Sequence, residues 1–180
     1  VAALRNPAVN VRHLAFKAIQ SFGSKSLPAL VELLHDNNSY VAARAIWLLP
    51  YLGDEGMKHC EGLLKDSNPQ NRITAYRALR QAGVDILPYA LILADDTNSA
   101  VRRDVATSLH AVSAEKALPI LVKLAAQIDH TDKNSLTAFG VGSAGKQEAV
   151  WSAIKTDANL WTPQIEKLAW VLHPASAVED

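Results

Sequence analysis

The chain repeats itself every thirty residues. Asn6, Asp36, Asp66 and Asp96 keep that interval, as do Ile19, Leu49, Leu79 and Leu109. Gly23, Gly53 and Gly83 keep it too, and Ser113 continues their series. Small and large apolar positions recur in fixed phase: Ala15, Ala45 and Ala75 are followed by Val105, and Leu34 and Leu64 by Ala94 and Leu124. Chance does not hold so many phases at once. Self-similarity at roughly 20 to 50 residues marks architectures built from stacked supersecondary units, none of which can bury its apolar face alone.

Inside each unit the pattern is helical. Val11, Leu14, Ala15, Ala18 and Ile19 follow the i, i+3, i+4, i+7, i+8 stripe of an amphipathic helix, and Gly23 supplies a stop. Pro28 then stands where the first turn of a second helix tolerates a missing N–H, and Pro88 and Pro119 repeat the device. The stretches DNNS, DSNP and DDTNS follow as polar turns whose Asn, Asp and Ser side chains accept hydrogen bonds from the next helix's free amides. The spacing predicts helices over 8–22 and 25–35, 39–52 and 54–65, 69–82 and 84–94, and 99–112 and 114–128, with Pro50 ending its helix early. Beyond 128 the period stretches. A less regular pair is predicted over 132–141 and 145–156, then a helix over 163–172 with Pro174 opening its partner. No long strand-like alternation occurs. The fold class is therefore all-α, an α-α superhelix (solenoid) of about five to six helical pairs, in one repeat domain over 1–180 that is regular over 1–128 and irregular over 129–180.

Charge and cysteine content narrow the function. Lys plus Arg equals Asp plus Glu at 18 each, so no net field gathers nucleic acid. Cys60 is the only cysteine, which rules out an internal disulfide and a haem-attachment motif within this chain. No apolar run is long enough to cross a bilayer. The chain starts without Met and ends within an amphipathic pattern, which reads as a segment of a larger protein.

The inter-unit Asp, Val-Arg six residues on, Ala-rich first helices and a Gly between helices make residues 1–128 resemble HEAT-like repeats of the short kind found in phycobilisome-lyase relatives. A closer resemblance covers most of the chain. The stretches ARAIWLLPYLGDEG, LKDSNPQNRITAYRALRQAG, SAVRRDVATSLHAV, DKNSLTAFGVG and IEKLAWVLHPASAVED, in that order, are similar to the HEAT-repeat region of large haem-binding, membrane-bound dehydrogenase proteins of planctomycetes and verrucomicrobia. That resemblance implies an exported parent with a propeller-like dehydrogenase domain before the repeats and a cytochrome c domain after them. The redox parts of that family lie outside this segment, so no catalytic, cofactor-binding or metal-binding residue carries over to it. What carries over is a non-catalytic scaffold whose partner is another protein or a neighbouring domain of the parent chain. Nucleic-acid binding and membrane insertion are not expected of it.

Several residue groups invite more specific readings. Arg12, Arg72 and Arg102 follow Asn6, Asp66 and Asp96 by six, which suggests an Asp–Arg ladder tying adjacent turns together, in which Asp36 also belongs. The second unit departs from it, with Ala42 at the Arg phase and Arg44 two positions later. Trp47, Trp151, Trp161 and Trp170 are expected to pack between repeats. The alternative is a stacking platform, as in HEAT-like glycosylases acting on alkylated DNA bases. His59 and Cys60 are neighbours in sequence and so point about 100° apart on a helix, unlike a nucleophile and its base. An activity like that of bilin lyases would need Cys60 or a His exposed in a cleft. Asp129, His130 and Asp132 read as a solvated turn and match no closed metal site. Gly140, Gly142 and Gly145 read as a helix-ending turn, since no strand precedes them and no Gly-Lys-Ser/Thr follows. In paired-helix solenoids the second helices line the concave side, which nominates Glu32, His35, Lys58, Glu61, Lys65, Tyr89 and Lys123 as the partner-binding face.

Overall fold

The computed structural model describes residues 1–157, 160 and 165–178. Every regular element among them is helical: α1 (Val9–Phe22), α2 (Leu27–Leu33), α3 (Ser39–Leu48), α4 (Gly53–Gly62), α5 (Pro69–Gln81), α6 (Leu87–Leu93), α7 (Ser99–Ser108), α8 (Ala114–Ala125), α9 (Lys133–Ser143), α10 (Gln147–Thr156) and α11 (Ile165–Leu172). Short 3-10 turns stand at Ala2–Arg5, Gly23–Ser26, Leu49–Tyr51, Leu63–Lys65 and Ala175–Val178. This is the all-α, paired-helix class that the period predicts. No helix among the described residues is long and apolar enough to cross a membrane.

The turns show why the Asp recurs. Oδ1 of Asp36, Asp66 and Asp96 accepts the N–H of the residue two later, Asn38, Asn68 and Asn98, at 2.8, 2.7 and 2.8 Å. Each Asn then caps its helix, accepting from Tyr40, Gln70 and Ala100 at 3.0, 3.0 and 2.9 Å. The periodic Asp is thus an Asx turn that delivers the chain to an Asn cap. Asn6 makes the same bond to the Ala8 N–H at 2.9 Å. Asp129 and Asp132 repeat the scheme with Thr131 at 2.8 Å and Asn134 at 3.0 Å. The stops are equally local: Gly23, Gly53 and Gly83 hold φ of 58, 79 and 78°, a region costly for any other residue. At Gly83 the chain closes α5 with bonds from Gly83 N–H to Arg80 and from Val84 N–H to Leu79, the Schellman pattern.

These bonds hold carboxyls below their usual range. The Asn38 N–H does so for Asp36, with Arg5 adding to it, and the Thr131 hydroxyl does so for Asp129. A carboxyl depressed in the folded state contributes stability that is fully present above its unfolded pKa of about 4 and is lost as pH falls through the folded value. Unfolding followed between about pH 5 and pH 2 should show that loss. Replacing Asp36→Asn and Asp129→Asn should flatten it, because Asn6 makes the same turn uncharged. An acid limb unchanged by both substitutions would remove the turns from the explanation.

The backbone forms two compact units, Val1–Ile86 and Leu87–Asp180. In the first, α3 lies between α1 and α5 in one row, while α2 packs on α3 and α4 on α5. In the second, α9 lies between α7 and α11, and α8 lies between α6 and α10 in a second row. Within each unit this is the layering of an α-solenoid, each pair meeting its neighbours. The phased positions supply the core: Leu49, Leu79, Ala45 and Ala75 are wholly buried in the first unit, as are Val105 and Leu109 in the second.

Several boundaries differ from expectation, each for a local reason. The helices expected over 25–35 and 84–94 shorten to the seven residues of α2 and α6. The 3-10 turn at Gly23–Ser26 takes up the residues ahead of α2, and 84–86 run outside any helix ahead of α6. Pro28 and Pro88 are second residues of their helices, whereas Pro119 falls inside α8, which starts back at Ala114. Pro50 does end α3 early, in the 3-10 turn Leu49–Tyr51. Pro174 precedes only the 3-10 turn Ala175–Val178, and the first two residues of the helix expected over 163–172 lie outside the described residues. Gly140 and Gly142 lie inside α9, and only Gly145, with φ of 74°, makes the helix-ending turn. A Cβ on Gly142 would stand 2.2 Å from the Ala106 carbonyl oxygen, and one on Gly140 2.9 Å from the Val171 side chain, so these glycines let helices approach. Leu14 lies in the apolar stripe and is nevertheless 67% exposed.

Candidate functional site

α4 carries two faces. Gly56 and Cys60 are buried, and a Cβ on Gly56 would fall 2.3 Å from the Leu49 carbonyl oxygen, so α4 sits tightly on the turn that Pro50 creates. Opposite them, Glu55, Lys58, His59 and Gly62 stand at i, i+3, i+4 and i+7, one helical stripe. With Leu34 at the end of α2 and Leu63 they line an open groove of about 410 Å³. Leu34, Gly62 and Leu63 supply its apolar part. Its rim holds the Lys58–Glu55 ion pair at 2.8 Å. The hydrogen bond between them lowers the Glu55 pKa and raises that of Lys58. Both groups are solvated, so the pair orients charge more than it stabilises the fold. Apolar floor, one fixed pair of opposite charges and an imidazole together suit recognition of side chains.

Cys60 takes no part. It is wholly buried, with Sγ 3.6 Å from the Ala75 carbonyl oxygen, and burial pushes its thiol up to about 12. A thiol held protonated at neutral pH is a poor nucleophile. His59 lies on the groove side and Cys60 on the core side, as their one-residue separation predicts.

Of the seven residues nominated for a partner face, Lys58 lines the groove. Glu32, His35, Glu61 and Lys65 lie on or beside α2 and α4 without lining it, and Glu32, His35 and Lys65 are exposed. Tyr89 and Lys123 belong to the other unit, where Lys123 is held by Asp95 at 2.5 Å and the Leu91 carbonyl at 3.1 Å. Glu55, His59 and Gly62 were missed; their i, i+3, i+4, i+7 spacing was the available signal.

The ladder arginines bond main-chain carbonyls of the turns, and carboxylate pairs such as Arg5–Asp36 and Arg103–Asp132 stand beside those bonds. Nη1 of Arg12, Arg72 and Arg102 donates to the main-chain carbonyls of Asn6, Asp66 and Asp96 at 2.8, 2.7 and 2.5 Å. Arg102 also reaches the Gln127 carbonyl at 3.2 Å, joining one inter-unit turn to the next. Asp36 pairs with Arg5 of the preceding turn. Where Ala42 breaks the series, Arg44 reaches back to the Leu4 carbonyl at 2.6 Å.

The 129–132 turn is a tie of the same kind. Asp132 accepts from Ser135 at 2.6 Å and Arg103 at 2.8 Å, and the His130 carbonyl accepts from Lys167 at 3.0 Å. Burial, then Lys167, lowers the His130 pKa. Among the described residues no group of three or more His, Cys, Asp or Glu is placed to hold a metal ion. The described tryptophans differ in burial. Trp47 is half-buried in α3 and Trp151 buried in α10, while Trp161 lies outside the described residues. Trp170 is 76% exposed and packs edge-on against His173, contrary to the packing role expected of it. α11 buries Ile165, Leu168 and Leu172, and Trp170 falls on the opposite side of that stripe.

Residues 57–138 match the family model of HEAT repeats. That stretch, from α4 into α9, carries HEAT-like repeats, in keeping with the row-by-row packing within each unit. It includes most of the groove's lining and the turns at Asp66, Asp96 and Asp129. HEAT repeats commonly mediate protein interactions through surfaces extended over successive pairs. No curated protein matches the chain.

Proposed function

We propose that the chain is a non-catalytic HEAT-repeat scaffold whose groove along α4 receives a segment of a protein partner. In its parent protein it serves as an interdomain module between exported dehydrogenase and cytochrome c neighbours, and it holds no cofactor of its own. The observation that carries the reading is the α4 stripe: four residues in helical register beside two leucines form an open groove whose only nearby thiol is buried and protonated. Such a surface recognises side chains and offers no activated nucleophile. The balanced charge of 18 cations and 18 anions favours a protein partner over a phosphate backbone.

Gly62 allows a clean test, because a Cβ added there meets nothing within 4 Å. Gly62→Trp should fill the groove and leave the thermal midpoint in place. Titrating the flanking domains of the parent protein into the chain by calorimetry should show binding, weakened about tenfold or more by Gly62→Trp, which corresponds to about 1.4 kcal/mol. Flanking domains that do not bind, or that bind the variant as tightly, would sink the proposal.

A further inference from the structure

The thirty-residue period breaks after Asp96. Thirty positions on stands Ala126, and the next turn aspartate comes three residues late, at Asp129. At that break α7, the end of α8 and the first half of α9 leave a half-open cavity of about 20 Å³, room for about one water molecule or one methyl group. Ala106, Leu124, Ile128 and Phe139 form its apolar walls. Arg102, Arg103 and Ser135 form its polar side. Arg102 donates to the carbonyls of Asp96 and Gln127, which carry no charge. Arg103 donates through Nη1 alone, to Ser99 Oγ at 3.1 Å and to Asp132 Oδ2 at 2.8 Å. Of the bonds these two guanidinium groups make, one alone goes to a carboxylate. The Nε and Nη2 donors of Arg103 meet no acceptor among the described residues. Those two nitrogens form one edge of the guanidinium, the edge that grips a carboxylate by two parallel bonds. Both arginines are half-buried, where solvent compensates a charge less well than in the open.

The geometry points to a binding site for a short aliphatic carboxylate, its oxygens on the open edge of Arg103 beside the Arg102 cation and its tail in the cavity. The walls decide against larger anions. Phosphate or sulfate would press further oxygens against Ala106, Leu124 and Phe139, which are buried and offer no side-chain donor, and a dry oxygen is costly. A neutral ligand of the same shape would leave the guanidinium edge without a charged partner. The Ser135 hydroxyl spends its proton on Asp132 at 2.6 Å, so the arginines alone supply the grip. The room for about one methyl group limits the tail to one or two carbons. Propionate has that form, and so does the last residue of a protein that ends in alanine, with its free carboxylate and one methyl. Either would bridge α7 and α9 and stabilise the unit 87–180 by mass action. The site lies wholly within that unit and is independent of the groove along α4.

Sodium propionate titrated into the 180-residue chain should shift the amide resonances of Arg102, Arg103, Ser135 and Phe139. The shifts should saturate with a dissociation constant of about 1 mM, within what about five non-hydrogen atoms can supply. Propionamide, of the same shape without the charge, and inorganic phosphate should each bind about tenfold or more weakly. Ala106→Val fills the cavity and leaves both charges, and Arg103→Gln removes the charged edge and leaves the cavity. Each should weaken propionate about tenfold or more, and the second keeps the test intact where the first fails to fold. A short peptide ending in alanine, compared with its C-terminally amidated form, separates the two sources. Displacement of propionate by the free-ended peptide alone would assign the site to a protein C-terminus, and displacement by neither would assign it to a free carboxylate. Shifts that do not saturate would overturn the proposal. So would propionamide or phosphate binding as tightly as propionate, or propionate binding unchanged by Arg103→Gln.

Discussion

Gly142→Ala should destabilise the unit 87–180 by about 3 kcal/mol or more, at the upper end of what one methyl costs in a packed interior. The added Cβ would stand 2.2 Å from the Ala106 carbonyl oxygen and 3.0 Å from its carbon, with a Leu121 methyl at 3.5 Å. Two of these neighbours are backbone and cannot rotate away. α7 and α9 would have to separate, opening space around Ala138, Phe139 and Ala106, which are all buried. Guanidinium unfolding should show a lower midpoint with an unchanged slope. Gly62→Ala, where a Cβ meets nothing within 4 Å, is the matched control and should leave the midpoint nearly in place. A loss below about 1 kcal/mol for Gly142→Ala would mean that the two helices are not held as close as the structure has them.

Lys146→Met should cost about as much, about 3 kcal/mol, by a different route. Lys146 is buried, and its ammonium donates to the carbonyls of His110, Gly142 and Ala144 at 3.0, 3.1 and 3.1 Å. These lie just past α7 and at the end of α9, so one cation satisfies carbonyls left open at two helix ends, where positive charge is favoured. Burial lowers the lysine's pKa, and the three acceptors oppose that by favouring the charged form. Met keeps most of the side-chain volume and removes every donor, leaving the carbonyls dry. Lys146→Ala opens room for water to reach them and should be the milder change. The order Met worse than Ala distinguishes orphaned carbonyls from lost packing, which would give the reverse. Because Gly142 and Lys146 serve one joint, their double variant should fall short of the sum.

The helical pairs and their turns were legible because each depends on neighbours in the chain. Asp36, Asp66 and Asp96 bond the residue two later, and Gly83 closes its own helix. Leu49, Leu79 and Leu109 share a phase and are all wholly buried. The groove was half legible: Lys58 was nominated, while His59 was read only as the neighbour of Cys60. Leu34 belongs to the groove because α2 ends beside α4, and no periodicity states that.

The sequence alone determined the repeat, its helical units and the chemistry of its turns, because 3.6-residue periodicity and Asx capping act over a few residues. Only the tertiary structure decided which helices touch and how closely. Gly142 looked like part of a turn until Ala106, thirty-six residues earlier, was found against it. Arg102 looked like a partner for a carboxylate and meets carbonyls from two turns. Leu14 has the phase of a buried residue and is bare, since a stripe becomes core only where a neighbouring helix covers it. Those outcomes depend on the distance and rotation between helices, which the packing of whole faces sets and no single repeat encodes.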